Sequence, residues 1–264
     1  MGLAVQESTG TVEHTVVRNT QVSTRLRGFG IAAAVPPGST TPASFHISEC
    51  LVSHNAGINI VGDGAAITVE RTLITDPISV AYGEGKLSRG IGIQVDEAAE
   101  GLPGSLTMTG SLVTRALGSG VYATGCELNI ANSAITNTLL FGDEPSRSIE
   151  VDNSDIGTRR GKLVLVDSVI EKANDSAIFD FSSDLTIQRS VLLGSFDPTA
   201  ALPNLGLYFD DEDDSTQPNL LIEDTSFIGS SDAQASSSQL AAPSLARASS
   251  MAHKARARSS LTVF

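Results

Sequence analysis

Apolar residues in this chain come in short alternating beats rather than long runs. The segment from Gly57 to Asp76 holds three of them: Ile58 and Ile60 flank Asn59, Ile67 and Val69 flank Thr68, and Leu73 and Ile74 follow Thr72. Alternation with a period of two puts successive side chains on opposite faces of an extended segment, so each beat predicts a strand. Strands this short suit the three sides of a solenoid coil better than the arms of a hairpin.

The same grammar recurs along the chain. A hydroxyl or thiol residue precedes the third beat at Thr15, Cys50, Thr72, Ser111, Ser133, Ser168, Ser190 and Thr225, at intervals of 35, 22, 39, 22, 35, 22 and 35 residues. Its frame reads SFHISECLV, AITVERTLI, SLTMTGSLV, ELNIANSAI, KLVLVDSVI, DLTIQRSVL and NLLIEDTSF, after a degenerate first copy, GTVEHTVV. Self-similarity of this kind marks a repeat architecture in which each unit buries its apolar beats against its neighbours. Leucine-rich L-x-x-L-x-L-x-x-N spacing is absent, and 22-residue units do not divide into hexapeptides, which leaves a parallel β-helix. The expected core comprises Ile58, Ile60, Ile67, Val69, Val121, Leu128, Ile130, Leu163, Leu165, Leu185, Ile187, Leu220 and Ile222.

With Φ for an apolar residue, the unit Gly-Φ-x-Φ, turn, Leu-x-Φ, bend, Val-Φ resembles the repeats of the pectin lyase-like superfamily from residue 2 to about residue 230. The resemblance implies an all-β, right-handed parallel β-helix of about eight coils with three short strands per coil. At about 4.8 Å per coil the stack is roughly 35 Å long. The resemblance also implies that the Gly-Φ-x-Φ strands form the face on which extended saccharides lie, and that the protein is secreted or displayed at a cell surface.

Composition divides the chain in two. Residues 1–230 carry 13 Lys+Arg against 29 Asp+Glu, whereas residues 231–264 are rich in Ala and Ser and carry 4 against 1. So acidic a body excludes nucleic acid as partner, since neutralising phosphates needs a basic surface. The tail is too poor in large apolar groups to be expected to hold fixed structure. Neither a signal peptide nor a run of about 18 apolar residues is visible, so no membrane span is read from the chain. Because Gly2-Leu3-Ala4-Val5 already reads as a Gly-Φ-x-Φ strand, with no cap before it, the chain is expected to be part of a larger protein. Cys50 and Cys126 fall three coils apart, roughly 14 Å, too far for a disulfide.

Surplus residues point to a site. In alternate coils they fall before the Gly-Φ-x-Φ strand, as in PISVAYGEGKLSRG and LLFGDEPSRS, and after it, as in DEAAEGLPG and DNSDIGTRRG. Such loops would wall one face of a rigid scaffold, where binding tends to reside. Between the walls the expected outward column is Asn59, Gln94, Tyr122, Glu150, Phe179 and Tyr208. Three aromatic rings in a chain with 5% aromatic residues fit stacking on sugars, with Glu150 and Asp210 supplying hydrogen bonds, or else packing under their own loops. The acidic run Asp210, Asp211, Glu212, Asp213 and Asp214 is a candidate calcium site, because Ca²⁺ prefers clustered oxygen ligands.

Catalytic motifs are harder to find. The Asn-Thr-Asp, Asp-Asp, His-Gly and Arg-Ile-Lys motifs of the polygalacturonase-like branch are missing from the corresponding positions, where Asp175 is the only carboxylate. Arg89, Arg147, Arg159 and Arg160 border the groove but match no lyase motif, and the four histidines are scattered. The expectation is therefore a non-catalytic structural or recognition module that binds extended carbohydrate, the alternative being a polysaccharide lyase or glycoside hydrolase with an atypical site. Asp180 falls at an inward position. A local register shift that exposes it is the expected escape from burying a carboxylate.

Overall fold

A computed structural model describes residues 2–21, 28–82, 86–99, 101–142, 146–154, 159–171, 175–194, 205–210, 218–228, 232–236 and 261–262. These residues contain strands and turns and no helix, so none long and apolar enough to cross a membrane.

The three beats of each unit become three strands, and equivalent strands of successive units stack in parallel. Sheet 1 runs through Leu3–Gln6, Phe29–Ala34, Ile58–Asp63, Ile91–Asp96, Ser119–Thr124, Arg147–Asp152, Ser176–Phe181 and Leu205–Asp210. Sheet 2 collects the second beats from Thr9–Glu13 to Leu220–Glu223, and sheet 3 the third beats from Val16–Arg18 to Ser226–Ile228. The result is a right-handed parallel β-helix of about eight coils. Two strands lie within the region expected to be irregular: Asp232–Ser236 adds in parallel to sheet 1, and Leu261–Thr262 pairs with it in the opposite direction.

The turn between sheets 2 and 3 explains the recurring hydroxyl. Just before it the chain turns through left-handed backbone at His14, Glu49, Arg71, Gly110, Asn132, Asp167, Arg189 and Asp224, with φ between 44° and 59°. That reversal points the next side chain into the corner. There each oxygen from Thr72 to Thr225 accepts the backbone N–H of its counterpart one coil earlier, at 3.1–3.5 Å. Each hydroxyl in turn donates to the carbonyl two residues before it, at 2.8–3.0 Å. Cys50 holds the same place with its thiol, donating to Ser48 O at 3.1 Å. Both cysteines are free and buried.

Interior positions follow the expected list closely. Ile60, Ile67, Val69, Val121, Leu128, Ile130, Leu163, Leu165, Leu185 and Ile187 belong to one continuous core, with Leu220 and Ile222 partly buried against it. Ile58 is buried outside that cluster, in the outer column that also holds Ile91, Ser119 and Arg147.

Asp180 is a correction. The register past it is unbroken, with Val151 and Phe209 as its neighbours in the coils on either side, and it is fully buried. No shift exposes it; the strand keeps its hydrogen bonds and takes the carboxyl inside.

Candidate functional site

Long and short crossovers alternate around sheet 1. From sheet 1 to sheet 2 the chain uses Gly64 alone in one coil and residues 97–104 in the next, then 125–126, then 153–161. From sheet 3 to sheet 1 it uses 54–57, then 76–90, then 115–118, then 137–146. Both sets of long crossovers therefore flank sheet 1 on alternate coils.

Along the outer face, Gln94, Tyr122, Glu150, Phe179 and Tyr208 stand in one unbroken register. Asn59 does not join them. Gln94 pairs with Val61, and Asn59 sits two residues earlier, in the column of Gly30, Gly92, Gly120 and Ser148. There it is fully buried, accepting from Asn55 Nδ2 at 2.9 Å and donating to Thr75 O at 3.0 Å. The cause is mimicry: Gly57-Ile58-Asn59-Ile60 copies the Gly-Φ-x-Φ pattern two residues out of frame. A sequence signal for the true frame exists, because Val61 to Thr72, Tyr122 to Ser133 and Phe179 to Ser190 are each 11 residues.

Glu150 is outward in register yet 4% exposed. Ser119 Oγ donates to its Oε2 at 2.7 Å, Arg147 Nη1 donates to its Oε1, and Arg89 Nη1 lies 3.5 Å from Oε2. Arg147 also reaches Asp175, Nε to Oδ2 at 3.6 Å, and its Cζ stands 3.4 Å from the centre of the Phe179 ring. Phe179 in turn stacks on Tyr208 with ring centroids 4.7 Å apart and planes 4° from parallel. The aromatic rings thus stack along the solenoid axis, and Phe179 has Arg147 from the preceding coil on one side and Tyr208 from the following coil on the other. Burial pushes the Asp175 carboxyl above the usual range, against the opposing pull of the Ser176 hydroxyl and Arg147.

Tyr122 is half-buried between Gln94 and Glu150, and its hydroxyl oxygen accepts from Thr124 Oγ1 at 3.0 Å. Its phenol is pushed up to about 12, first by burial and then by Asp152, Glu150 and Asp96. Two residues further along each strand the column reads Asp63, Asp96, Thr124, Asp152 and Phe181, three of them acidic, and Gln94 Nε2 donates to Asp96 Oδ2 at 2.5 Å. Of the four arginines, Arg89 and Arg147 converge on Glu150, while Arg159 lies at the far wall, 3.6 Å from the buried Glu97.

Asp210 ends a described strand, whereas Asp211, Glu212, Asp213 and Asp214 lie outside the described residues. Among the described residues no group of three or more His, Cys, Asp or Glu side chains is arranged to hold a metal ion. What sequence reasoning missed is the cluster itself, in which Ser119, Arg147, Glu150 and Asp175 come from three successive coils. No protein family, curated protein or solved structure matches the chain.

Proposed function

We propose that this β-helix is a non-catalytic structural and recognition module whose loop-walled sheet 1 face binds an extended, hydroxyl-rich carbohydrate. The observation that carries the reading is the continuous outer column Gln94, Tyr122, Glu150, Phe179 and Tyr208 between alternating long crossovers. Stacked coils place one residue of the column about every 4.8 Å, so a linear polymer lying along the axis meets a new side chain at each step. Carboxylates and amides beside Tyr122 accept and donate to hydroxyls. Asp63, Asp96 and Asp152 beside the column favour a neutral glycan over a uronate polymer.

Kinship with the pectin lyase-like superfamily, a secreted or cell-surface setting, a surface glycan as partner, a place within a larger protein and calcium at Asp210, Asp211, Asp213 and Asp214 all belong to this reading as proposals. The lyase or hydrolase alternative draws on one observation, the meeting of Glu150 and Asp175 on Arg147. Glycosidases use two carboxylates about 5–9.5 Å apart. Against it, Glu150 already accepts from Ser119 and Arg147, and Arg147 is held by Phe179 and two acids.

A glycan array followed by turnover assays, with and without Ca²⁺, separates the readings. Binding without products, weakened by Tyr122→Ala and Tyr208→Ala, is the expected result. Bond cleavage would overturn the non-catalytic reading, and absence of binding to any glycan would remove the groove.

A further inference from the structure

We propose that the seventh coil is a proton-controlled weak point of the solenoid, closed while Asp180 is neutral and opened when Asp180 ionises. Along this column the neighbouring coils place Ala33, Gly62, Val95, Ala123, Val151 and Phe209, none of them polar in side chain, and all but Gly62 belong to the hydrophobic core. Asp180 occupies the same space with no exposed surface. Its Oδ2 accepts the Ser183 N–H at 3.2 Å, and its buried Oδ1 has no hydrogen-bond partner among the described residues.

The charged groups that act on it are of the wrong sign. Asp152 reaches it from the preceding coil and Asp184 from the sheet 2 strand of its own coil, while its column neighbours Val151 and Phe209 are apolar. An ionised carboxylate drawn from water into such a place, with Ser183 as its one donor residue and no cation acting on it among the described residues, is strongly disfavoured. Burial is accordingly the main reason its carboxyl is pushed up to about 8, with the Ser183 hydrogen bonds opposing.

The sign follows from linkage. An unfolded Asp loses its proton near pH 4, whereas the folded one keeps it to about pH 8, so across that window the native state binds the extra proton. The stability Asp180 contributes is complete below about pH 4 and is lost as pH rises through about 8, by up to about tenfold per pH unit in the folding equilibrium. Each coil touches only its neighbours, so the loss falls on the contacts of the seventh coil, near the C-terminal end of the stack.

Amide hydrogen exchange on the full chain at pH 5 and pH 9, corrected for intrinsic rates, tests this. Protection at Leu185, Ile187 and Leu192 is expected to fall on going to pH 9 by at least about tenfold more than at Ile60, Ile67 and Ile74. In Asp180→Val, whose side chain copies Val151, the two groups are expected to respond alike, and Asp180→Asn provides the same readout should the valine variant fail to fold. An equal pH response of the two groups in the wild-type chain would overturn the proposal, and so would an unchanged difference in the variants.

Discussion

Arg147 stands over the ring of Phe179, with its Cζ 3.4 Å from the ring centroid, and the same guanidinium holds Glu150 and Asp175. One side chain therefore closes a stack of rings and neutralises acids from two coils. This makes the outer face of sheet 1 a fixed surface rather than a row of free side chains.

Removal of that guanidinium would leave Glu150 buried with, among the described residues, only Ser119 and the more distant Arg89 as partners. Arg147→Ala is expected to destabilise the protein by about 3 kcal/mol in urea unfolding, because uncompensated burial of a charge dominates. Arg147→Ala combined with Glu150→Ala should cost less than the sum of the single changes. Strict additivity would show that the contact is not energetically coupled.

The corner ladder predicts an order of tolerance. Ser133 accepts from Ser111 N at 3.2 Å and donates to Ala131 O at 2.8 Å. Ser133→Ala strands the buried Ser111 N–H, while Ala131 O keeps the Gly110 N–H at 3.2 Å, and is expected to cost about 1–3 kcal/mol. Ser133→Cys should cost less, since Cys50 fills the equivalent position. Thermal denaturation of the two variants distinguishes them.

Gly120 marks where the chain bends into sheet 1 with no room for a side chain. A Cβ there would lie 2.6 Å from Ile135 Cγ2 and 2.6 Å from Ser148 O. Gly120→Ala is expected to lose about 1–3 kcal/mol through overpacking against backbone that cannot swing aside. Equal stability of mutant and wild type would mean that the corner relaxes.

Neither cysteine should react in the folded state. Both are buried, and burial pushes the Cys126 thiol up to about 12, so Cys126 carries almost no thiolate at pH 8. Alkylation with iodoacetamide at pH 8 is expected only after addition of denaturant. Rapid labelling of Cys126 in the native protein would contradict its placement in the turn after sheet 1.

The solenoid was legible because its signals are local. Strand alternation and the hydroxyl or thiol before each third beat lie within a few residues, so eight copies identify coil boundaries and nearly all interior positions; the left-handed residue ahead of that marker has no common residue type and shows only in the backbone. Frame within a coil is less local. Gly57-Ile58-Asn59-Ile60 satisfies the strand pattern as written, and it takes the 11-residue spacing to the corner hydroxyl, or the hydrogen-bond register with Ile91–Asp96, to place Val61 rather than Asn59 beside Gln94.

By itself, then, the chain determined the parallel β-helix, its alternating long crossovers and the column from Gln94 to Tyr208, since each depends on a repeated short-range pattern. Tertiary structure decided which of those side chains are open. Glu150, outward by pattern, is roofed by Arg89 and Arg147, and Asp180, expected to escape, stays inside. The reason is that burial in a solenoid is set largely by neighbouring coils: Glu150 is closed by Ser119 and Arg89, 31 and 61 positions away, as well as by Arg147 on its own strand, and Asp180 is enclosed by Val151 and Phe209, 29 positions to either side.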